Sequence, residues 1–184
     1  MHYKIVKRSL TENEIKILID EIKNTPNISA YNKIEWRNCK NLFVAQDTSG
    51  KMLGACLNDD FTNHWTEIAA LFVLEDFRNH GIGKDLFKWS LIDTIARQRN
   101  ILAMSSNPFV VKMMGEYGLT IFESLADLPD PYRKHSFTLN WFYELRWLMN
   151  WYRIVEVIRK KFVFKAKKKY KYGLMINSNI QLIS

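Results

Sequence analysis

Leu71-Phe72-Val73-Leu74-Glu75-Asp76-Phe77-Arg78-Asn79-His80-Gly81-Ile82-Gly83-Lys84-Asp85-Leu86 runs from an apolar strand through a short polar loop into a helix that opens on two glycines one residue apart. Glycine lets backbone approach a ligand closely. The unpaired N–H groups at a helix start, aided by the helix dipole, form an anion site. Arg78 and Lys84 add positive charge around it. This is chemistry for a pyrophosphate; the alternative is a loop whose glycines serve only the turn. A Walker A loop would need Ser or Thr where Asp85 stands, and a dinucleotide fingerprint would need a third glycine where Leu86 stands.

Upstream of this stretch, Trp65–Val73 reads as one long strand carrying a single acid, Glu67. Before it, Asn41–Gln46 and Met52–Asn58 flank the turn Asp47-Thr48-Ser49-Gly50 and read as a hairpin. His2–Lys7 is a first strand. Thr11-Glu12-Asn13-Glu14 has the form of a capping box, and Ile15, Leu18, Ile19 and Ile22 follow at helical spacing. Residues 29–38 fit one short helix. Downstream, Gly81–Arg99 is a helix, Ile101–Met104 a buried strand, and Pro108–Tyr117 a helix stopped by Gly118. Leu119–Ser124 and His135–Trp141 read as two further strands around the Pro129–Pro131 loop. Strands alternating with helices predict a mixed α/β sheet.

The chain has 184 residues, 47% of them apolar, which suits one domain with a core of its own or one domain plus an appendage. No apolar run reaches 18 residues, so no spanning helix is expected, and Met1–Ile5 lacks the apolar stretch of a secretory leader. Two cysteines, Cys39 and Cys56, make no disulfide framework, and no Cys/His cluster has zinc spacing. A reducing cytoplasm is the expected setting.

Arg78-Asn79-His80-Gly81-Ile82-Gly83, the strand ahead of it, and the later Asn107, helix and Gly118-Leu119 together resemble the GNAT acetyltransferase superfamily, whose motif is Arg/Gln-x-x-Gly-x-Gly/Ala. The likeness covers roughly residues 3–142. It implies an α/β fold with a mixed, mostly antiparallel central sheet flanked by helices. The domain would occupy residues 1–141, with a basic helical extension and loose tail over 142–184. It also implies an acetyl-CoA-dependent N-acetyltransferase without a metal. In such an enzyme Phe72 and Val73 would offer backbone to the pantetheine arm. Arg78, Asn79, His80, Gly81, Ile82, Gly83 and Lys84 would cradle the diphosphate, and Asn107 would reach the arm from the neighbouring strand.

An amine nucleophile must lose a proton, and a carboxylate can accept it. Glu67, eleven residues before Arg78, occupies the place where many members of the superfamily carry an acid; the alternative is an exposed strand residue paired with Lys or Arg. His64 ranks behind it. The superfamily often supplies a tyrosine, four residues before the Gly118 position, to protonate the leaving thiolate. Here that residue is Met114. Tyr117 or water would substitute, or the protein is a non-catalytic CoA-binding or interaction module. Cys39 and Cys56 have no adjacent His and read as small core residues. The acceptor, a small-molecule or peptide amine, would meet Ile28–Cys39 and Ala126–Lys134.

The net charge of +8 has one source. Residues 141–172 hold ten Lys/Arg against Glu144 and Glu156, and the remaining residues balance. A helix is expected from about Phe142 to Phe164, with Leu145, Leu148, Tyr152, Val155 and Phe162 on one stripe. It could dock on the sheet or form a homodimer seam. It could lie on an anionic membrane, with the lysine run adding attraction. Nucleic acid is the least favoured partner. Gly173–Ser184, uncharged, reads as a loose tail.

Overall fold

The computed structural model describes residues 1–26, 28, 31–164 and 169–177. Seven strands among them form one sheet: β1 (Tyr3–Lys7), β2 (Asn41–Asp47), β3 (Met52–Asp60), β4 (Trp65–Val73), β5 (Asn100–Ser105), β6 (Thr120–Phe122) and β7 (Lys171–Met175). Their order is β1-β2-β3-β4-β5-β7-β6. Every neighbouring pair is antiparallel except β4 and β5, which run parallel.

Strand alternation sorts the core into two layers. In β2, Leu42 and Val44 face one side, where α1 (Glu12–Lys23) and α2 (Lys33–Asn38) bring Ile15, Leu18, Ile22 and Trp36. Phe43 and Ala45 face the other, under Leu86 and Phe87 of α3 (Ile82–Ala96) and Met113 and Met114 of α4 (Pro108–Glu116). The expected capping box forms: Thr11 Oγ1 accepts from Glu14 N–H at 3.3 Å, and the Glu14 carboxylate accepts from Thr11 N–H at 2.8 Å. Asn32 and Glu35 do the same for α2.

The C-terminal third departs from expectation. His135–Trp141 is not a strand. A 3-10 turn (Arg133–His135) leads into a π-helical stretch (Phe137–Tyr143), then α5 (Glu144–Leu148) and α6 (Trp151–Phe164). Phe137, Leu139 and Trp141 alternate as a strand would, but Phe137 and Trp141 are exposed. The residues that reach the core are Leu139 and Tyr143, four apart as on a helix. The slot next to β6 is filled instead by β7, which enters between β5 and β6 with Ile101 opposite Met175 and Ser105 opposite Lys171. Leu174, Met175 and Ile176 are all buried, as a strand covered on both faces requires. A side chain at Gly173 would come within 3.0 Å of Leu119 and Met114, so glycine permits the close packing of α4 there. The loose tail expected from Gly173 onward is therefore strand through Met175, while residues 178–184 lie outside the described residues. The boundary expected after residue 141 falls inside the sheet domain.

Of the apolar stripe expected on the C-terminal helix, only Tyr152 packs against the core. Leu145, Leu148, Val155 and Phe162 are exposed, whereas α6 buries Arg153, Glu156 and Lys160. Lys160 Nζ donates to the carbonyls of Ile22, Thr25 and Ile28 at 2.5, 2.7 and 3.0 Å, capping the C-terminal end of α1 with a cation. Lys160→Met, which keeps the stem but strips the donor, is expected to lower stability by roughly 2–3 kcal/mol, readable by chemical denaturation; an unchanged midpoint would make this cap dispensable.

Candidate active site

β4 and β5 pair from Trp65–Asn100 to Ile68–Ala103 and then part, although β4 continues to Val73 and β5 to Ser105. At the parting point β4 carries a bulge: Leu57 of β3 faces Ala70 and Asn58 faces Ile68, leaving Ala69 as the extra residue. The gap opens into a cleft of about 570 Å³. Its walls include Glu67, Phe72, Val73, Arg78, Asn79, Gly81, Ile82, Gly83, Lys84 and Asn107, so ten of the twelve residues singled out from sequence meet in one cavity.

At one end stands the glycine loop. Asn79 (φ 65°) and Gly81 (φ 80°) adopt left-handed backbone, the second as N-cap of α3. No side chain caps that helix, so its first turn presents N–H groups outward. The Arg78 guanidinium donates to Val73 O at 3.2 Å and lies 5.4 Å from the Phe72 ring centre. Lys84 Nζ is 3.6 Å from Glu116. Tyr3 OH donates to Asp85 Oδ2 at 2.6 Å, tying the helix start to β1; burial first, then the Asp85 bond and charge, push this phenol up to about 12. Asn107 is the N-cap of α4, accepting from Phe109 N–H at 3.0 Å. These groups suit a diphosphate and its attached arm.

At the other end lies Glu67, only 3% exposed. Its Oε1 accepts a hydrogen bond from Tyr143 OH at 2.7 Å. Burial pushes the Glu67 carboxyl above the usual carboxylate range, while Arg153 and the Tyr143 bond pull the other way. Tyr31, lining the cleft, lies 4.2 Å beneath the Arg153 guanidinium, which donates to Glu35 Oε1 at 2.6 Å. Asn150 donates to the same oxygen at 2.9 Å. Burial works against the Arg153 charge, but the fields of Tyr31, Glu67 and Glu35 outweigh it and hold its pKa up. Tyr143 and Arg153 were missed in the sequence because both were counted with the basic extension. The clue to Arg153 was its spacing of seven from Lys160, which puts both on one helix face.

Other expectations are corrected. Tyr117 does not line the cleft; it ends α4 and packs its ring 5.8 Å from Phe87. Three residues along a helix from Met114 is about 300° of turn, so its ring leaves on another face. Met114 itself is fully buried. His80 points into its own loop, Nδ1–H donating to Arg78 O at 2.8 Å, and it does not line the cleft; nor does His64. Ile28 and Tyr31 of the first acceptor segment reach the cleft, but no residue of Ala126–Lys134 does. Tyr132 is instead buried against Phe122, its OH 2.8 Å from the Thr120 hydroxyl. Burial raises the Cys39 and Cys56 thiols to about 11 and about 12, so both stay protonated. Among the described residues no group of three or more His, Cys, Asp or Glu could hold a metal ion.

Three solved structures show the same fold at low identity. N-acetylglutamate synthase from Neisseria gonorrhoeae, complexed with coenzyme A and N-acetyl-glutamate, is 15% identical with a TM-score of 0.61, over 95% of this chain and 35% of that one. This chain thus spans about a third of that enzyme. Rv2747 from Mycobacterium tuberculosis, in complex with CoA and NLQ, is 14% identical with a TM-score of 0.63, over 94% and 98%. Ard1 from Thermoplasma volcanium is 16% identical with a TM-score of 0.54, over 94% and 95%. No curated protein sequence matches. The model of the acetyltransferase (GNAT) family matches residues 11–118, more than half of the chain, and covers both ends of the cleft from Glu67 to the glycine loop. This chain belongs to the acetyltransferase (GNAT) family, whose chemistry is acyl transfer.

Proposed function

We propose that the protein is an acetyl-CoA-dependent N-acetyltransferase in which an acceptor amine attacks the thioester directly. The observation that carries this reading is that one cleft joins the uncapped start of α3 to a buried carboxylate, Glu67. Acetyl-CoA, when bound, supplies an acetyl group activated as a thioester. The N–H groups of Ile82, Gly83 and Lys84, with Arg78, hold its diphosphate. The free edge of β4 beyond Ile68 offers backbone to the pantetheine arm as to an added strand. Glu67 accepts the proton of the amine, and its raised pKa suits that task better than an ordinary carboxylate's. The amine nitrogen bonds to the carbonyl carbon as the carbon–sulfur bond breaks. With Met114 in the donor position and Tyr117 outside the cleft, solvent protonates the departing thiolate.

CoA is expected to raise the Tm of the protein, and Gly81→Asp, which strains a left-handed residue and places a carboxylate at the diphosphate, to erase the shift. Equal stabilisation of the variant would remove the site from this loop. An amine screen with acetyl-CoA and free-thiol detection then tests turnover. Met114 favours one rival, a CoA-binding module without catalysis. Stabilisation by CoA with no thiol released for any amine would establish the rival.

A further inference from the structure

Helix α6 is built inside out. At 100° per residue, Arg153, Glu156 and Lys160 fall on one face, and that is the face it buries. Trp151, Val155, Ile158 and Phe162 fall within about 60° of one another on the opposite face, and all four are exposed, Trp151 by 75% and Phe162 by 77%. A surface helix of a soluble domain has the reverse arrangement. The inversion is held by specific bonds: Arg153 to Glu35, Lys160 to three carbonyls at the end of α1, and Arg159 to Glu156 and Lys23 O. The helix cannot roll to hide its apolar face without breaking them. Nor is α6 alone. Of the sixteen large apolar side chains exposed among the described residues, ten lie between Phe137 and Val163, including Trp141, Leu148 and Met149. Single exposed apolar residues need no explanation, but such a concentration in one segment marks an interaction surface.

We propose that this surface seats the protein on an anionic lipid bilayer, with α6 lying in the interface plane. Three observations choose the lipid. Two tryptophans and two phenylalanines are among the exposed residues, the types that favour the headgroup level. Lys161 is exposed beside the apolar stripe, and in the sequence Lys165, Lys167, Lys168, Lys169 and Lys171 follow directly. The segment from residue 141 to 172 supplies the entire net charge of +8 in the sequence. Arg153 and Lys160 are buried and Arg146, Arg159, Lys169 and Lys171 pair with acids, so Lys161 and, in the sequence, Lys165, Lys167 and Lys168 carry the attraction. A second copy of the chain would cover the apolar face too. A two-fold contact would, however, set one such segment against another, charge on like charge. An anionic bilayer covers the same face and attracts the charge. No helix among the described residues is long and apolar enough to cross a membrane, so the contact is interfacial.

The test is sedimentation of the full chain with vesicles of phosphatidylcholine containing about a third phosphatidylglycerol, set against phosphatidylcholine alone. Binding is expected to the anionic vesicles, falling at least tenfold as salt rises from 50 to about 500 mM and the Debye length shortens. Trp151→Glu/Phe162→Glu should lower binding at least tenfold at low salt while keeping the wild-type Tm and its CoA shift, since neither side chain reaches core or cleft. No binding to anionic vesicles at low salt overturns the proposal. So does a double variant that binds as well as wild type. A dimer in light scattering that the double substitution dissolves, with vesicles ignored, assigns the face to a second copy instead.

Discussion

A chain that stops after Lys169 does not fold. The deletion removes β7 from between β5 and β6, so it leaves two sheet edges open rather than shortening one. Five register pairs to β5 and three to β6 disappear. Leu174, Met175 and Ile176 are buried to within a few per cent, and burying each contributes about 1.5–3 kcal/mol. Their combined loss approaches the 5–15 kcal/mol of net stability that small domains have. Leu102, Met114 and Leu119 lose their cover at the same time. The expected result is insoluble or molten protein with no cooperative thermal transition and no response to CoA. A truncated chain that melts cooperatively and is stabilised by CoA would show that residues 1–169 contain the whole domain.

Glu67→Gln is expected to lower kcat/KM by about 10²–10⁴ at neutral pH while leaving CoA stabilisation intact. A carboxamide oxygen can still accept the Tyr143 bond, so the fold should survive the change. The pH profile carries the sharper signature. The base works only when ionised, so activity falls as pH drops through the Glu67 pKa, and burial sets that limb above the ordinary carboxylate range. Tyr143→Phe removes a hydrogen bond that favours the carboxylate, so its acid limb should move to still higher pH. Arg153→Met, removing a favourable charge, should move it the same way. Wild-type turnover in Glu67→Gln would assign the proton to another group or to water. An unmoved limb in both neighbours would mean that Glu67 is not what titrates.

The part of the chain from Tyr3 to Gly118 could be read because its elements declare themselves locally. Thr11 and Glu14 close their box within one turn, the β2–β3 hairpin needs only its own turn, and the glycine loop is defined by backbone conformations that only neighbouring residues set. Of the candidate site, ten of the residues singled out, on β4, the loop and Asn107, line one cleft. What was lost depends on contacts between distant residues. His135–Trp141 and Lys171–Met175 compete for one slot in the sheet, and alternation favoured the wrong one because the pattern carries no record of which strand a segment meets. Once that slot is filled from the C-terminus, no residue of Ala126–Lys134 lines the cleft, and Tyr143 and Arg153 stand behind Glu67 and Tyr31 instead. Tyr143 reaches Glu67 across 76 residues of sequence. Lysines and arginines in a basic run look solvated, and only the spacing of seven that puts Arg153 and Lys160 on one helix face sets these buried residues apart from Lys161, which is exposed.

The strand order also sets a timetable. During synthesis β5 and β6 emerge well before β7, which lies about fifty residues beyond β6. At roughly 5–20 residues per second, the ribosome leaves that gap unfilled for several seconds. Through this interval β5 shows an open edge, and the apolar face of α6 is made before the sheet can close. Strands left unpaired in this way are templates for wrong partners. The strand that joins β5 to β6 is thus the last of the seven to be made, and until it arrives the sheet cannot close.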